Sequence, residues 1–176
     1  MPLLTRDQFI ERIGAIKLLA LDVDGVLTDD SSYFGPDGFE MKRFDISDGL
    51  FMKLSMQAGL IVAVVSGRHS VATDSRMKDL GVTHVLQGKA NKVGMISPLL
   101  EKLGVNFAEV AFMGNEILDV ELAGRVGLPI AVADACRDLK EVAHYITTQP
   151  GGHGAVREVI ECWFLAKHLD PKSYLP

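Results

Sequence analysis

Residues 18–28, Leu-Leu-Ala-Leu-Asp-Val-Asp-Gly-Val-Leu-Thr, constrain this chain more than any other stretch. Leu18 to Leu21 is apolar on both faces, the pattern of a strand buried in a parallel sheet. Asp22, Asp24 and Gly25 follow and read as a loop at the carboxyl end of that strand. In open α/β sheets this is the edge at which ligands bind. Side chains alternate along a strand, so Asp22 and Asp24 can point the same way. Two carboxylates there repel each other and are costly to desolvate, and a divalent cation beside them removes that cost. A lone Asp-x-Asp also serves as a turn or a helix cap, so its meaning depends on what the other strand ends carry.

They carry polar tips as well. Leu60 to Val65 is a second apolar strand, running into Ser66-Gly67-Arg68. A hydroxyl, the backbone N–H of Gly67 and a guanidinium suit phosphate oxygens. The plain alternative is a Ser cap with a surface Arg. Residues 87–92, Gln-Gly-Lys-Ala-Asn-Lys, open a helix that runs to about Leu103. Two lysines at a helix start oppose the preference of the dipole for acids there, a local conflict that points to function. A Lys here can neutralise a nucleophile and a phosphoryl group, and from the residues alone Lys92 and Lys89 both qualify, either being otherwise a solvated surface charge. A third strand, Val110 to Met113, ends in Gly114-Asn115-Glu116-Ile117-Leu118-Asp119. Such an acidic loop can complete an oxygen-rich Mg²⁺ site. Asn115 offers a carbonyl oxygen without charge.

The remaining segments alternate between helix and strand. Residues 5–14 read as a short helix with Thr5 as N-cap and Gln8 completing a capping box. Residues 29–46 read as two short strands around Gly-Pro-Asp-Gly (35–38), with 40–44 alternating. A hairpin of this size needs a surface to pack on. The helix after it takes Ser47 or Asp48 as N-cap and stops at Gly59. A helix over 69–80 turns Val71, Met77 and Leu80 inward, and its Arg76 can face either the pocket or solvent. Residues 83–86 form a short strand with a structural His84. A helix over Val120–Val126, a strand over 128–133, a helix over 137–144 and a strand over 145–148 follow. A glycine-rich segment, 150–158, feeds a last helix that buries Val159, Ile160, Trp163, Phe164 and Leu165, and the tail from Asp170 frays. The expected fold is therefore α/β: a single domain over 1–176 with a Rossmann-like parallel sheet, helices on both faces and a small inserted β-hairpin at about 30–44.

The formal net charge of −5, with no Lys/Arg tract, argues against nucleic acid and against an anionic membrane as partners. No apolar run is long enough to span a bilayer. Cys136 and Cys162 lack metal-type spacing and read as reduced thiols in a cytoplasmic protein.

The motifs together resemble those of the haloacid dehalogenase-like phosphatases: Asp22-Val-Asp-Gly-Val-Leu-Thr28, Ser66, Lys92 and the Gly114 loop. Nearly the whole chain resembles the cap-less branch that includes the 3-deoxy-D-manno-octulosonate 8-phosphate phosphatases. The supporting residues include Ser66-Gly-Arg68, Val132-Ala-Asp134-Ala and Gly151-Gly-His-Gly-Ala-Val-Arg157-Glu. The resemblance implies phosphoryl transfer to Asp22, with Asp24 as general acid and base and with Ser66 and Lys92 on the phosphate. It implies Mg²⁺ held by Asp22, the Asp24 carbonyl and Asn115, with Asp119 orienting the loop. Gly67, Arg68, Arg76 and Arg157 become substrate-binding candidates, Arg68 and Arg157 for a sugar-acid carboxylate. It further implies a homotetramer built on the hairpins, with the glycine-rich segment helping to close the site. The chain departs from the family where Asn115 and Glu116 replace two Asp, so weaker metal binding, or help from Glu116, is expected. That loop also resembles the phosphatase-like domain of cytidylyl-sialate synthetases. A nine-carbon ulosonate 9-phosphate substrate and a catalytically weak tetrameric scaffold are the alternatives.

Overall fold

The structure is a computed structural model and describes residues 3–175. Six parallel strands form one sheet: β1 (Leu18–Leu21), β4 (Ile61–Ser66), β5 (His84–Gln87), β6 (Val110–Gly114), β7 (Leu128–Ala131) and β8 (Tyr145–Ile146). Their order is β5-β4-β1-β6-β7-β8, with β2 (Tyr33–Phe34) and β3 (Glu40–Met41) forming a separate antiparallel hairpin. The helices are α1 (Arg6–Ile13), α2 (Ile46–Gln57), α3 (Val71–Leu80), α4 (Lys92–Leu103), α5 (Val120–Ala123), α6 (Arg137–Val142) and α7 (Ala155–Ala166). Packing contacts join α1, α2, α3 and α7 into one layer and α4, α5 and α6 into another.

This topology follows from the apolar runs. All four residues of β1 are buried, as both-sided burial in a parallel sheet demands. From β1 the chain winds outward through β4 to β5, then crosses back to β6 and winds the other way. The reversal lies at β1, so a crevice opens at its carboxyl end. Leu21 pairs with Val64 on one side and Met113 on the other. Asp22, Ser66 and Asn115 therefore leave the sheet at neighbouring points of one edge.

Local chemistry fixes the helix ends. Thr5 and Gln8 form the expected capping box of α1. The N-cap of α2 is Asp45, not Ser47 or Asp48: its carboxylate accepts the N–H groups of Ser47 and Asp48. That frees Asp48 for another task. Val71 is exposed, because it starts α3 just after the Ser70 cap, where the helix has not yet turned onto the sheet. Leu165 is exposed too; it lies roughly 100° past Phe164 and beyond the apolar stripe of α7. The helix expected over 120–126 is shorter, a 3₁₀ turn at Ile117–Asp119 followed by α5, which ends at Gly124. The alternating stretch after the turn contributes only β3 and a bridge between Thr28 and Phe44. The tail is ordered over Pro171–Tyr174 as a 3₁₀ turn capped by Asp170, and Tyr174 packs on Phe164. Pro176, the last residue of the frayed tail expected from sequence, lies outside the described residues.

Asp48 reaches across to α7. It is 1% exposed, and its Oδ1 accepts the Arg157 N–H at 2.7 Å in the first turn of that helix. The N-cap there, Gly154, has no side chain to do this. Asp48 Oδ2 is buried without a partner among the described residues. Burial pushes its carboxyl up to about 6. The unfolded carboxyl titrates near 4, so between about 4 and 6 the folded chain holds the extra proton and stability falls as pH rises. Asp48→Asn keeps the acceptor and removes the titration. Relative to the native chain it should gain about 1–3 kcal/mol between roughly pH 4 and pH 8, read by urea unfolding. A difference that does not vary with pH would contradict this.

Candidate active site

At the carboxyl edge of β1 lies a cavity of about 320 Å³ lined by Asp22, Asp24, Asp30, Ser66, Gly67, Arg68, Ala90, Lys92, Asn115, Glu116 and Leu118. Its floor is an ion-paired triad. The Lys92 ammonium lies 2.8 Å from Asp22 Oδ1 and also binds Asp119 Oδ1. All three side chains are almost fully buried. Asp119 Oδ2 accepts the backbone N–H groups of Asn115 (2.9 Å) and Glu116 (3.1 Å). One carboxylate thus shapes the β6 loop and holds the lysine. Asn91 caps α4 through the Gly94 N–H, which sets Lys92 at the first position of the helix.

Burial, then the charge of Asp119, pushes the Asp22 carboxyl up to about 7, with Lys92 pulling the other way. Burial alone would favour neutral Lys92; Asp22 and Asp119 overturn that and raise its pKa above the ordinary value. The site therefore holds a carboxylate that gains much from any further cation.

The donor set fits one. Asn115 Oδ1 is buried and has no hydrogen-bond partner among the described residues. Its amide is pressed against the Asp22–Thr28 loop: a Cβ at Gly25, whose φ is +76°, would lie 1.9 Å from Asn115 Nδ2. With an Asp22 carboxylate oxygen and the Asp24 carbonyl, Asn115 offers the all-oxygen set that suits a hard divalent ion. No group of three His, Cys, Asp or Glu side chains is arranged for a metal among the described residues. A cation would therefore rely on one carboxylate, an amide and a carbonyl. Glu116 reaches the cavity, but its Oε2 accepts the Ile117 N–H at 3.0 Å.

Ser66 closes the second strand tip. Its Oγ donates to the Arg68 carbonyl at 3.0 Å and accepts the Arg68 N–H at 3.3 Å. The Arg68 guanidinium, half exposed, meets Asp24 Oδ2 at 3.4 Å, Ser32 Oγ at 3.0 Å and Glu40 Oε1. Lys89 is exposed and stays outside the cavity lining. Two expected substrate residues are not brought there within one chain. Arg76 pairs with Asp79 at 3.0 Å and packs against Gly49. Arg157 pairs with Glu161 at 2.7 Å, lies over the Phe51 ring and borders a different cleft with Arg6 and His153.

The glycine-rich segment braces the nucleophile loop from behind, and none of residues 150–158 lines the cavity. Gly152 N–H donates to the Val26 carbonyl at 2.9 Å, and Gly151 N–H to Asp134 at 3.0 Å. A Cβ at Gly151 would lie 1.8 Å from the Gly25 carbonyl oxygen, so only glycine permits this approach. Glu158 anchors the segment, accepting from Tyr145, Thr148 and Gln149.

Sequence reasoning passed over Asp30, Glu40 and Lys42. The signal for the last two was present: along 40–44, Glu40, Lys42 and Phe44 share one side of an alternating stretch. That side faces the site. Lys42 forms an ion pair with Asp24 Oδ1.

Known proteins share this sequence pattern and fold. The family profile for haloacid dehalogenase-like hydrolases matches residues 80–160. A 3-deoxy-D-manno-octulosonate 8-phosphate phosphatase of Escherichia coli K12 is 42% identical over 90% of this chain and 84% of its own length. The crystal structure of the Yersinia pestis phosphatase of that name superposes with a TM-score of 0.88, at 38% identity over 91% of this chain and 86% of that one. The Moraxella catarrhalis phosphatase, solved with a magnesium ion, a phosphate ion and a KDO molecule, gives a TM-score of 0.88 at 37% identity, over 91% and 92% of the two chains.

Removing Asp119 tests the triad directly. Asp119→Ala leaves Lys92 with only one of its two carboxylate partners and two N–H groups without acceptors. It should cost about 3–5 kcal/mol in urea unfolding. A loss below about 1 kcal/mol would show that the triad does not hold the loop.

Proposed function

Because this chain belongs to the haloacid dehalogenase-like hydrolases, in the branch of the 3-deoxy-D-manno-octulosonate 8-phosphate phosphatases, we propose that it hydrolyses that eight-carbon phosphosugar through an aspartyl-phosphate. The observation that carries the reading is the buried Asp22 carboxylate at the cavity floor, 2.8 Å from the Lys92 ammonium. One carboxylate oxygen is anchored by a cation, which leaves the other for attack on phosphorus.

Asp22 forms the P–O bond while Asp24 gives its proton to the departing sugar oxygen. Asp24 then takes a proton from the water that attacks the aspartyl-phosphate, which restores both carboxyl groups. Ser66 Oγ, the Gly67 N–H and Lys92 bind the phosphate oxygens as charge builds on them. Asp22, the Asp24 carbonyl and Asn115 would hold Mg²⁺, which when bound supplies positive charge that offsets the phosphate. Arg68 at the cavity mouth suits the sugar-acid carboxylate, a planar anion matched by a guanidinium fork. Arg76 and Arg157 reach this substrate only if a neighbouring chain presents them. Self-association through the hairpin is consistent with its exposed Tyr33, Phe34, Phe39 and Met41, and a homotetramer is our reading of it. No helix among the described residues is long and apolar enough to cross a membrane, and Cys136 and Cys162 are free thiols; a cytoplasmic location agrees with both. The nine-carbon substrate and the scaffold role draw no support from the relatives.

The experiment is phosphate release from the eight- and nine-carbon 3-deoxy-ulosonate phosphates, with Mg²⁺ and with chelator. We expect Mg²⁺-dependent turnover with preference for the eight-carbon acid; preference for the nine-carbon acid would overturn the substrate. Asp22→Asn should lower turnover at least about a thousandfold with an unchanged circular dichroism spectrum. Asn115→Asp should lower the Mg²⁺ concentration needed for half-maximal rate, since it adds a charged ligand. An unchanged requirement would remove Asn115 from the metal site.

A further inference from the structure

Asp24 has its two carboxylate oxygens divided between two environments. Oδ2 is paired with Arg68 Nε at 3.4 Å, and both residues line the cavity. Oδ1 is paired with Lys42. The Lys42 side chain is 1% exposed, against 31% for Asp24 and 45% for Arg68. Lys42 is not among the residues that line the cavity, so it holds Asp24 from outside the lining. It comes from the hairpin segment, between β3 and the bridging Phe44; its neighbour Met41 is exposed, and Arg43 reaches the Gly152 carbonyl.

An aspartate on a loop turns easily about its terminal torsion, which is broad and roughly two-fold. A general acid works only within hydrogen-bond reach of the atom it protonates. A buried ammonium fixed to one oxygen removes that freedom and sets which oxygen faces the substrate.

We propose that Lys42 is the positioning residue of Asp24, anchoring Oδ1 so that Oδ2 presents its proton to the leaving oxygen, and that it ties this step to the seating of the hairpin. The inference rests on the reading of Asp24 as proton donor given above. In the step concerned, the bond between phosphorus and the ester oxygen breaks and its electron pair stays on that oxygen. The proton moves from Asp24 Oδ2 to the same oxygen, and Asp22 forms the new P–O bond.

The leaving group distinguishes this role from others. An alkoxide needs the proton in order to depart; p-nitrophenolate does not. The value of kcat/KM reports the first half-reaction, in which the leaving group departs. It is to be measured with Mg²⁺ for the native chain, Lys42→Met and Lys42→Arg on three substrates. These are the eight-carbon ulosonate phosphate, glycerol 3-phosphate (an alkyl phosphate without a carboxylate) and p-nitrophenyl phosphate. Lys42→Met should lower kcat/KM for both alkyl phosphates by about tenfold to a hundredfold, and for the aryl phosphate by less than about threefold. Lys42→Arg keeps the charge and should show the same ordering with a smaller loss. Should the Met variant melt before assay, this ordering in the Arg variant decides the matter. An equal loss on all three substrates would make Lys42 merely structural. A loss confined to the ulosonate phosphate would make it a carboxylate ligand. No loss would remove it from the reaction. Each of these overturns the proposal. Absence of native turnover on any of the three would instead bring down the functional reading on which it rests.

Discussion

The burial of Lys92 between Asp22 and Asp119 is the interaction on which the rest of the site depends. An ammonium this deeply buried persists as a cation only because two carboxylates flank it. Each of those carboxylates has a second task. Asp22 faces the cavity, and Asp119 organises the loop that presents Asn115. Moving the lysine would therefore disturb Asp22, Asn115 and the β6 loop at once. Around the cavity six carboxylates, Asp22, Asp24, Asp30, Glu40, Glu116 and Asp119, face three cationic side chains, Lys42, Arg68 and Lys92. An excess of negative charge of this kind repels a phosphate dianion. The orphaned Asn115 Oδ1 is where a divalent cation would offset that charge.

Positioning comes from two further elements that grip the nucleophile loop. From behind, Gly151 and Gly152 pack directly on Gly25–Thr28, and Glu158 holds their segment in place. From the front, the hairpin sends Lys42 and Glu40 to Asp24 and Arg68, while Arg43 donates to the Gly152 carbonyl at 2.8 Å. Hairpin, nucleophile loop and glycine-rich segment are thus one linked unit, although more than a hundred residues separate their ends. The outward face of the hairpin remains apolar and uncovered in a single chain.

Much of this was legible in the sequence because the informative patterns are local. Four-residue apolar runs located β1 and its partners, and polar residues at their ends located the cavity. Lys92 stood out because a lysine at a helix start defies the dipole; its burial with Asp119 supplies the compensation that the rule lacked. What the sequence concealed depends on distant partners. The cap of α7 is Asp48, more than a hundred residues upstream, so no local motif could show it. Asp45 beat Ser47 as the cap of α2 because its carboxylate reaches two N–H groups. Arg76 and Arg157 sit on amphipathic helices, where sequence marks a charged face but not what lies opposite. In the folded chain those faces meet α2, Arg76 against Gly49 and Arg157 over the Phe51 ring, while each pairs along its own helix with Asp79 or Glu161.

The central claim is that Asp22 attacks phosphorus and carries the phosphoryl group. Rapid quenching of the Asp24→Asn variant, mixed with Mg²⁺ and p-nitrophenyl phosphate, whose leaving group departs without a donated proton, followed by mass spectrometry of its peptides, addresses this directly. The account predicts a phosphoryl adduct on the peptide containing Asp22, sensitive to hydroxylamine and absent when Asp22 is Asn. Native turnover with no adduct on that peptide, or an adduct that survives Asp22→Asn, would contradict it.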